Sequence, residues 1–223
     1  MQTIVEIIFD VVYLAFVITV GIVMIRRAKG DRQTLLFGVM AVVLGSGDAF
    51  HLVPRVYALC TSGLEAFTAV LGIGRMITSV TMTIFYLLLY HVWRLRYGVT
   101  EKRGLTLSMY LLALARIVLT LLPQNGWTSA SPSRAWGIYR NIPFALMGEI
   151  VTFIFRSEAK HSGDKGFRHV WLAVLSSFVF YLPVVLWAET VPAIGALMIP
   201  KTCAYIWLVL IGYSEMRKRQ DEK

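Results

Sequence analysis

Seven long apolar runs separated by short basic segments constrain this chain more than any other feature. They lie at about 3–25, 34–57, 64–93, 105–123, 136–156, 168–188 and 192–214. Each is long enough to cross a hydrocarbon core of about 30 Å as a helix, which needs roughly 20 apolar residues. In lipid a helix satisfies its own backbone, so such runs are read as helices rather than strands. The composition agrees, with 57% hydrophobic and 16% charged residues and a mean hydropathy of +0.65. Seven spans take up most of 223 residues and leave only short loops. The expected fold is an all-α integral membrane protein: one seven-helix transmembrane domain over 1–214 and a basic tail over 215–223. The first run ends in Arg26-Arg27 without a small-residue cleavage site, so it reads as a span rather than a signal peptide.

The basic residues give the orientation. Segments 26–32, 94–104, 156–168 and 215–223 each carry four Lys or Arg, so they hold sixteen of the 22. All four fall on one side of an alternating path, and the positive-inside rule assigns that side to the cytoplasm. The N-terminus is then outside and the C-terminus cytoplasmic, in a multi-pass protein of the cell membrane. These segments account for the whole net charge of +9. The pI of 9.8 is therefore an orientation signal and gives no reason to expect nucleic-acid binding.

What remains is balanced: Arg55, Arg75, Arg116, Arg134, Arg140 and Lys201 against Glu6, Asp10, Asp48, Glu65, Glu149 and Glu189. Asp10, Asp48, Arg75, Arg116, Glu149 and Lys201 fall well inside the apolar runs. A charge at mid-membrane costs about 2.5–3.5 kcal/mol on insertion scales, so each is expected to face the interior and find a partner. Ion pairs that fix helix register would explain any one of them; six together point to a shared polar cavity.

Helical spacing places many of these residues on common faces. Asp48, His51 and Arg55 form a stripe at i, i+3 and i+7 beside Pro54. Gly72, Arg75, Ser79, Tyr86 and Tyr90 form another. Glu6, Asp10 and Tyr13 share the first span, and Arg116 and Thr120 the fourth. Asn141, Ala145 and Glu149 share the fifth, with Pro143 as an expected kink. Lys201 and Tyr205 follow Pro200 in the seventh; Arg55, Arg75, Ser79, Tyr86, Arg116, Asn141, Tyr181 and Lys201 are the expected ligand-binding residues. Trp93, Trp127, Trp136, Trp171 and Trp187 read as interfacial anchors. One histidine beside one aspartate is too little for a metal site, so neither metal nor cofactor is expected. Cys60 and Cys203 read as unpaired thiols.

The run Leu44-Gly45-Ser46-Gly47-Asp48-Ala49-Phe50-His51-Leu52-Val53-Pro54-Arg55 resembles the Gly-Asp helix of the lysoplasmalogenase (YhhN-like) membrane family. Ile73-Gly74, Ser79 and Thr83-Ile84-Phe85-Tyr86 are similar to that family's next helix, although Val80 stands where the family carries a histidine. Gly148-Glu149 stands where it carries a later Ser-Asp. The resemblance implies a membrane-embedded hydrolase that cleaves the vinyl-ether bond of a lysophospholipid. Such chemistry suits two carboxyl groups, one acid and one anion, as in glycosidases. Asp48 and Glu149 are the expected pair, with His51 assisting a water. Arg55, Arg75 or Lys201 is expected to hold a phosphate, and the partner is a membrane lipid or amphipathic small molecule.

Two other readings compete. Intramembrane Asp, His, Arg and Lys also mark pathways through transporters or channels for a small anion or proton-coupled solute. Lys201 near the middle of the seventh span is similar to the retinal-binding lysine of microbial rhodopsins, which suggests a sensor. However, the third span offers only Thr78 and Ser79 where a counter-ion would stand, and the seventh has no carboxylate before Lys201.

Overall fold

In the computed structural model, which describes residues 2–61 and 63–221, every long element is a helix. These are α1 Gln2–Arg27, α2 Arg32–Cys60, α3 Thr68–Arg96, α4 Arg103–Leu121, α5 Arg134–Ser162, α6 Val170–Trp187 and α7 Met198–Asp221. Short 3-10 turns at Glu65–Phe67, Pro123–Asn125 and Pro192–Leu197 lead into or out of them. Among the described residues, seven helical stretches are long and apolar enough to cross a membrane.

The runs fall where expected, but two extend beyond their apolar portions. The fifth was expected to stop near 156 and continues to Ser162. The last was expected to stop near 214, yet α7 runs through the basic tail to Asp221; residues 222 and 223 lie outside the described residues. Ion pairs supply the reason, because the extra turns carry side chains that reach other elements. Glu158 lies 3.8 Å from Lys102, Glu215 2.5 Å from Arg96, and Arg219 3.1 Å from Asp31.

Each helix packs on the next in sequence, α7 closes the ring against α1 and α2, and α3 also touches α5. Small residues allow the tightest approaches, as is usual where helices meet without a hydrophobic driving force. Gly21 of α1 and Gly38 of α2 lie against each other, and Gly47 of α2 lies against Thr81 of α3. Pro54 sits inside α2 without ending it and cannot donate to the Phe50 carbonyl. Gly74 of α3 packs against that carbonyl and the Cα of His51, where any side chain would collide with backbone. The Thr78 hydroxyl of α3 donates to the Gly47 carbonyl at 3.0 Å.

Polarity is inverted relative to a soluble domain. Leu107, Leu111, Leu114, Val118 and Leu121 of α4 are exposed, as are Ile4, Val5, Ile8, Val11 and Val12 of α1. Arg116, Asn141 and Lys201 are buried.

Candidate functional site: a divided polar interior

Asp48 stands where α1, α2 and α7 meet. Its Oδ2 accepts a 2.6 Å hydrogen bond from the Tyr13 hydroxyl, across from α1. Tyr13 is fixed because its ring is buried and Phe9 stacks on it one turn away, with centroids 6.5 Å apart. The positive charge of Lys201 acts on the same carboxylate from α7. Lys201 is only 8% exposed, and its Nζ lies 4.5 Å from the Tyr181 ring centre and 5.4 Å from that of Tyr205. An ammonium over aromatic faces is stabilised by the ring quadrupoles, more strongly when desolvated. The carboxylate facing Lys201 thus comes from α2, not from the third or seventh span.

A row of acidic residues leads from Asp48 towards the start of α1. Asp10 is half-buried and within electrostatic reach of Asp48, Glu6 and Arg55. Glu6 is bound to Arg55, with Oε2 2.8 Å from the guanidinium. Arg55, expected to be free for a ligand, is therefore engaged in an ion pair. His51 Nδ1 lies 3.2 Å from the Leu71 carbonyl. A carbonyl can only accept, so Nδ1 carries the proton and Nε2 of the neutral ring is left as the acceptor. The charges of Arg75, Arg55 and Lys201 all act on this ring.

The other half of the interior is basic. Arg116 of α4 is 2% exposed and donates to the Arg140 carbonyl at 3.0 Å and to Asn141 Oδ1 at 2.9 Å. Its guanidinium carbon lies 3.8 Å from the Phe144 ring centre, and its Nε has no hydrogen-bond partner among the described residues. Tyr181 donates to the same Asn141 oxygen at 2.8 Å, so Asn141 joins α4, α5 and α6. Arg140 donates to Asn125 Oδ1 at 2.7 Å and lies over the Trp127 ring at 4.2 Å. The charges of Arg116 and Arg75 both act on Arg140. None of the three forms an ion pair with a carboxylate among the described residues. Arg75 is exposed, and Ser79, expected to bind ligand, turns its hydroxyl back to the Arg75 carbonyl at 2.9 Å. Tyr86 is buried with its hydroxyl 3.2 Å from Ser177 and its ring against Phe144 and Phe178.

The structure does not bring Glu149 into this interior. Glu149 is exposed on the outer surface of α5, in a row with Ile142, Leu146 and Phe153, which are also exposed. The face of α5 that turns inward carries Asn141, Phe144, Gly148 and Val151 instead. Gly148 lies against the Phe178 ring, which fixes this rotation of the helix. The expected pairing of Asp48 with Glu149 is therefore absent, and Asp10 is the carboxyl group on which Asp48 acts electrostatically.

Two tryptophans also differ from expectation. Trp93 is fully buried, stacked on Tyr90 with centroids 5.8 Å apart, because α4 and Lys102 cover it. Trp127 donates its indole N–H to the Thr120 carbonyl at 2.8 Å, and its own carbonyl approaches Gly72. The loop after α4 thereby folds over the end of α3. Asn125 anchors it by donating to the Leu119, Thr120 and Leu122 carbonyls. No periodic pattern signals such a loop; the local cues are Pro123 at the start of the 3-10 turn and Gly126 at φ 62° after it.

Among the described residues no three His, Cys, Asp or Glu side chains converge as a metal site would require. No protein-family model, curated protein or solved structure matches the chain.

Proposed function

We propose that this is a multi-pass integral membrane protein, with its N-terminus outside and its basic end in the cytoplasm, that binds and hydrolyses a phosphate-bearing ether lipid in its polar interior. The membrane reading rests on the seven apolar helices and the concentration of Lys and Arg on one side. Cys60 offers a test of orientation, because it is exposed and lies at the same end as the start of α1. A membrane-impermeant maleimide should label Cys60 in intact cells; labelling only after lysis would reverse the orientation.

The observation that carries the functional reading is the division of the interior. One side presents Asp48 with Asp10 close by, and the other presents buried Arg116 and half-buried Arg140 with exposed Arg75 at its edge, none of them ion-paired to a carboxylate among the described residues. A lysophospholipid with a vinyl-ether chain has a matching order, a phosphate a few bonds from an acid-labile bond. Arg75, Arg116 and Arg140 suit the phosphate, since guanidinium forks bind it with directed hydrogen bonds. Asp48 delivers its proton to the double-bond carbon farther from the ether oxygen, and the Asp10 carboxylate steadies the oxocarbenium ion that results at the carbon bonded to oxygen. Water adds to that cation while His51 Nε2 takes its proton. The hemiacetal then separates into an aldehyde and the glycerol hydroxyl.

Replacing Asp48 with Asn keeps an acceptor for Tyr13 but removes the acid. Aldehyde release from lysoplasmalogen by the purified protein should fall by about 10²–10⁴, the usual contribution of a general acid. Unchanged turnover in D48N would overturn the assignment.

A second reading, coupled transport of a proton and a small solute, is favoured by the spacing of Glu6, Asp10 and Asp48 along one path. It is supported instead if proteoliposomes accumulate solute under a pH gradient, lose this with D48N, and release no aldehyde.

A further inference from the structure

At the opposite end of the bundle, where α1 ends, α2 begins and α7 runs out, there is a cavity of about 320 Å³. Arg27, Lys29, Asp31, Thr34, Arg219 and Gln220 bound it. Its carboxylate is already committed. Asp31 Oδ1 accepts from the Gln33 N–H at 3.0 Å, and Oδ2 accepts from the Thr34 hydroxyl at 2.7 Å and from Arg219 at 3.1 Å. Arg219 is equally engaged, giving a second hydrogen bond to Gln33 Oε1 at 2.7 Å and lying 3.8 Å from Glu215. Asp31 and Arg219 cancel each other and frame one wall.

Two cations remain. Arg27 and Lys29 are exposed, and neither has an ion-pair partner among the described residues. Like charges gathered at one cavity repel unless an anion joins them. Lys29 adopts a left-handed backbone, φ 41°, in the turn between α1 and α2. Gln220 holds the end of α1 in place by donating from Nε2 to the Arg27 carbonyl at 3.1 Å, and its second amide proton is available to a ligand.

We propose that this cavity binds a phosphate group through Arg27, Lys29 and Gln220. The source is the headgroup of an anionic lipid or free phosphate. Its place at the ends of three apolar helices is where a lipid headgroup would lie, and basic pockets between helices are known to take such headgroups. The site is separate from the polar interior, and its test does not depend on any hydrolytic activity.

Native mass spectrometry of the full chain in detergent distinguishes the sources. The probes are phosphatidic acid, diacylglycerol with the same acyl chains, and inorganic phosphate. The double variant R27Q/K29Q removes the two cations, and R217Q/K218Q removes the same charge from residues outside the cavity. Phosphatidic acid should be retained over diacylglycerol and should bind about 25-fold more weakly to R27Q/K29Q, about fivefold per cation. The control variant should bind as the wild type does. If only inorganic phosphate responds to R27Q/K29Q, the ligand is free phosphate; if both respond, the site accepts either source. If neither responds, or if the control loses as much, the proposal is wrong. Should the double variant fail to fold, R27Q and K29Q singly carry the same test, each with about a fivefold loss.

Discussion

The Tyr13 hydroxyl and the Asp48 carboxylate, from antiparallel neighbours α1 and α2, are joined by a 2.6 Å hydrogen bond inside the bundle. Neither group has an ordinary apolar reason to be there, and each supplies what the other lacks. Replacing Tyr13 with Phe leaves the carboxylate short of its donor, so stability should fall by about 1–3 kcal/mol. Thermal melting in detergent measures this. D48N, which keeps an acceptor for Tyr13, should melt much closer to the wild type; equal losses in both variants would mean that the charge matters more than the hydrogen bond.

Glu149 provides the opposite case. It is exposed among exposed apolar neighbours, so Glu149→Leu should leave aldehyde release unchanged. The same change should favour membrane insertion by about 2.5–3.5 kcal/mol on a scale measured for charged residues. Turnover and yield of folded protein report the two effects. A large loss of turnover in E149L would restore Glu149 to the catalytic pair.

Gly74 tests the α2–α3 contact. A methyl group there would meet the Phe50 carbonyl and the His51 Cα, both backbone and neither able to rotate away. Gly74→Ala should therefore destabilise by about 1–3 kcal/mol or more. Because His51 moves with this contact, turnover should also fall in the protein that remains folded. A melting temperature equal to wild type would show that the helices separate there without penalty.

The basic end makes a prediction about pH. Arg96 grips Asp164 with two hydrogen bonds of 2.8 Å and reaches Glu215 at 2.5 Å. Burial alone would push the Asp164 carboxyl up, but Arg96 and the Gly166 and Phe167 N–H groups hold it below the usual range. Asp31 behaves likewise: burial raises it, while Thr34, Arg219 and the Gln33 N–H lower it further. A lowered folded pKa contributes stability in full above the unfolded value of about 3.9 and loses it as pH falls through the folded value. Melting followed from pH 6 down to pH 2 should thus show a loss that begins near pH 4. Arg96→Gln should reduce stability by about 1.5–3 kcal/mol at pH 6 and make the acid loss shallower. An unaltered slope would show that Asp164 contributes nothing to it.

Much of the fold was legible because lipid-spanning helices are written in long apolar runs, which need no knowledge of neighbours. The polar stripes were legible for a similar reason. Asp48 and His51, Asp10 and Tyr13, and Lys201 and Tyr205 lie on inward faces because their spacing follows the helical period. Spacing gives the angle between residues of one helix but not the rotation of that helix in the bundle. For α5 the rotation is decided by Gly148 against Phe178 and by Asn141 between Arg116 and Tyr181. That rotation carries Glu149 outward, although its own helix gives no hint of it. Likewise, the apolar runs could not show that α7 continues to Asp221, because charges on other elements hold its last turns.

By itself, then, the sequence determined seven apolar helices, a basic end, and which side chains lie on the same face of each helix. Those are local properties, set by hydropathy and by the geometry of a single helix. Only the tertiary structure decided that Asp48 meets Tyr13 within the field of Lys201, that Arg116 and Arg75 act on Arg140, and that Arg55 is engaged with Glu6. Those relationships depend on how helices far apart in the chain are rotated and packed, and close contacts such as Gly74 on the Phe50 carbonyl set that rotation.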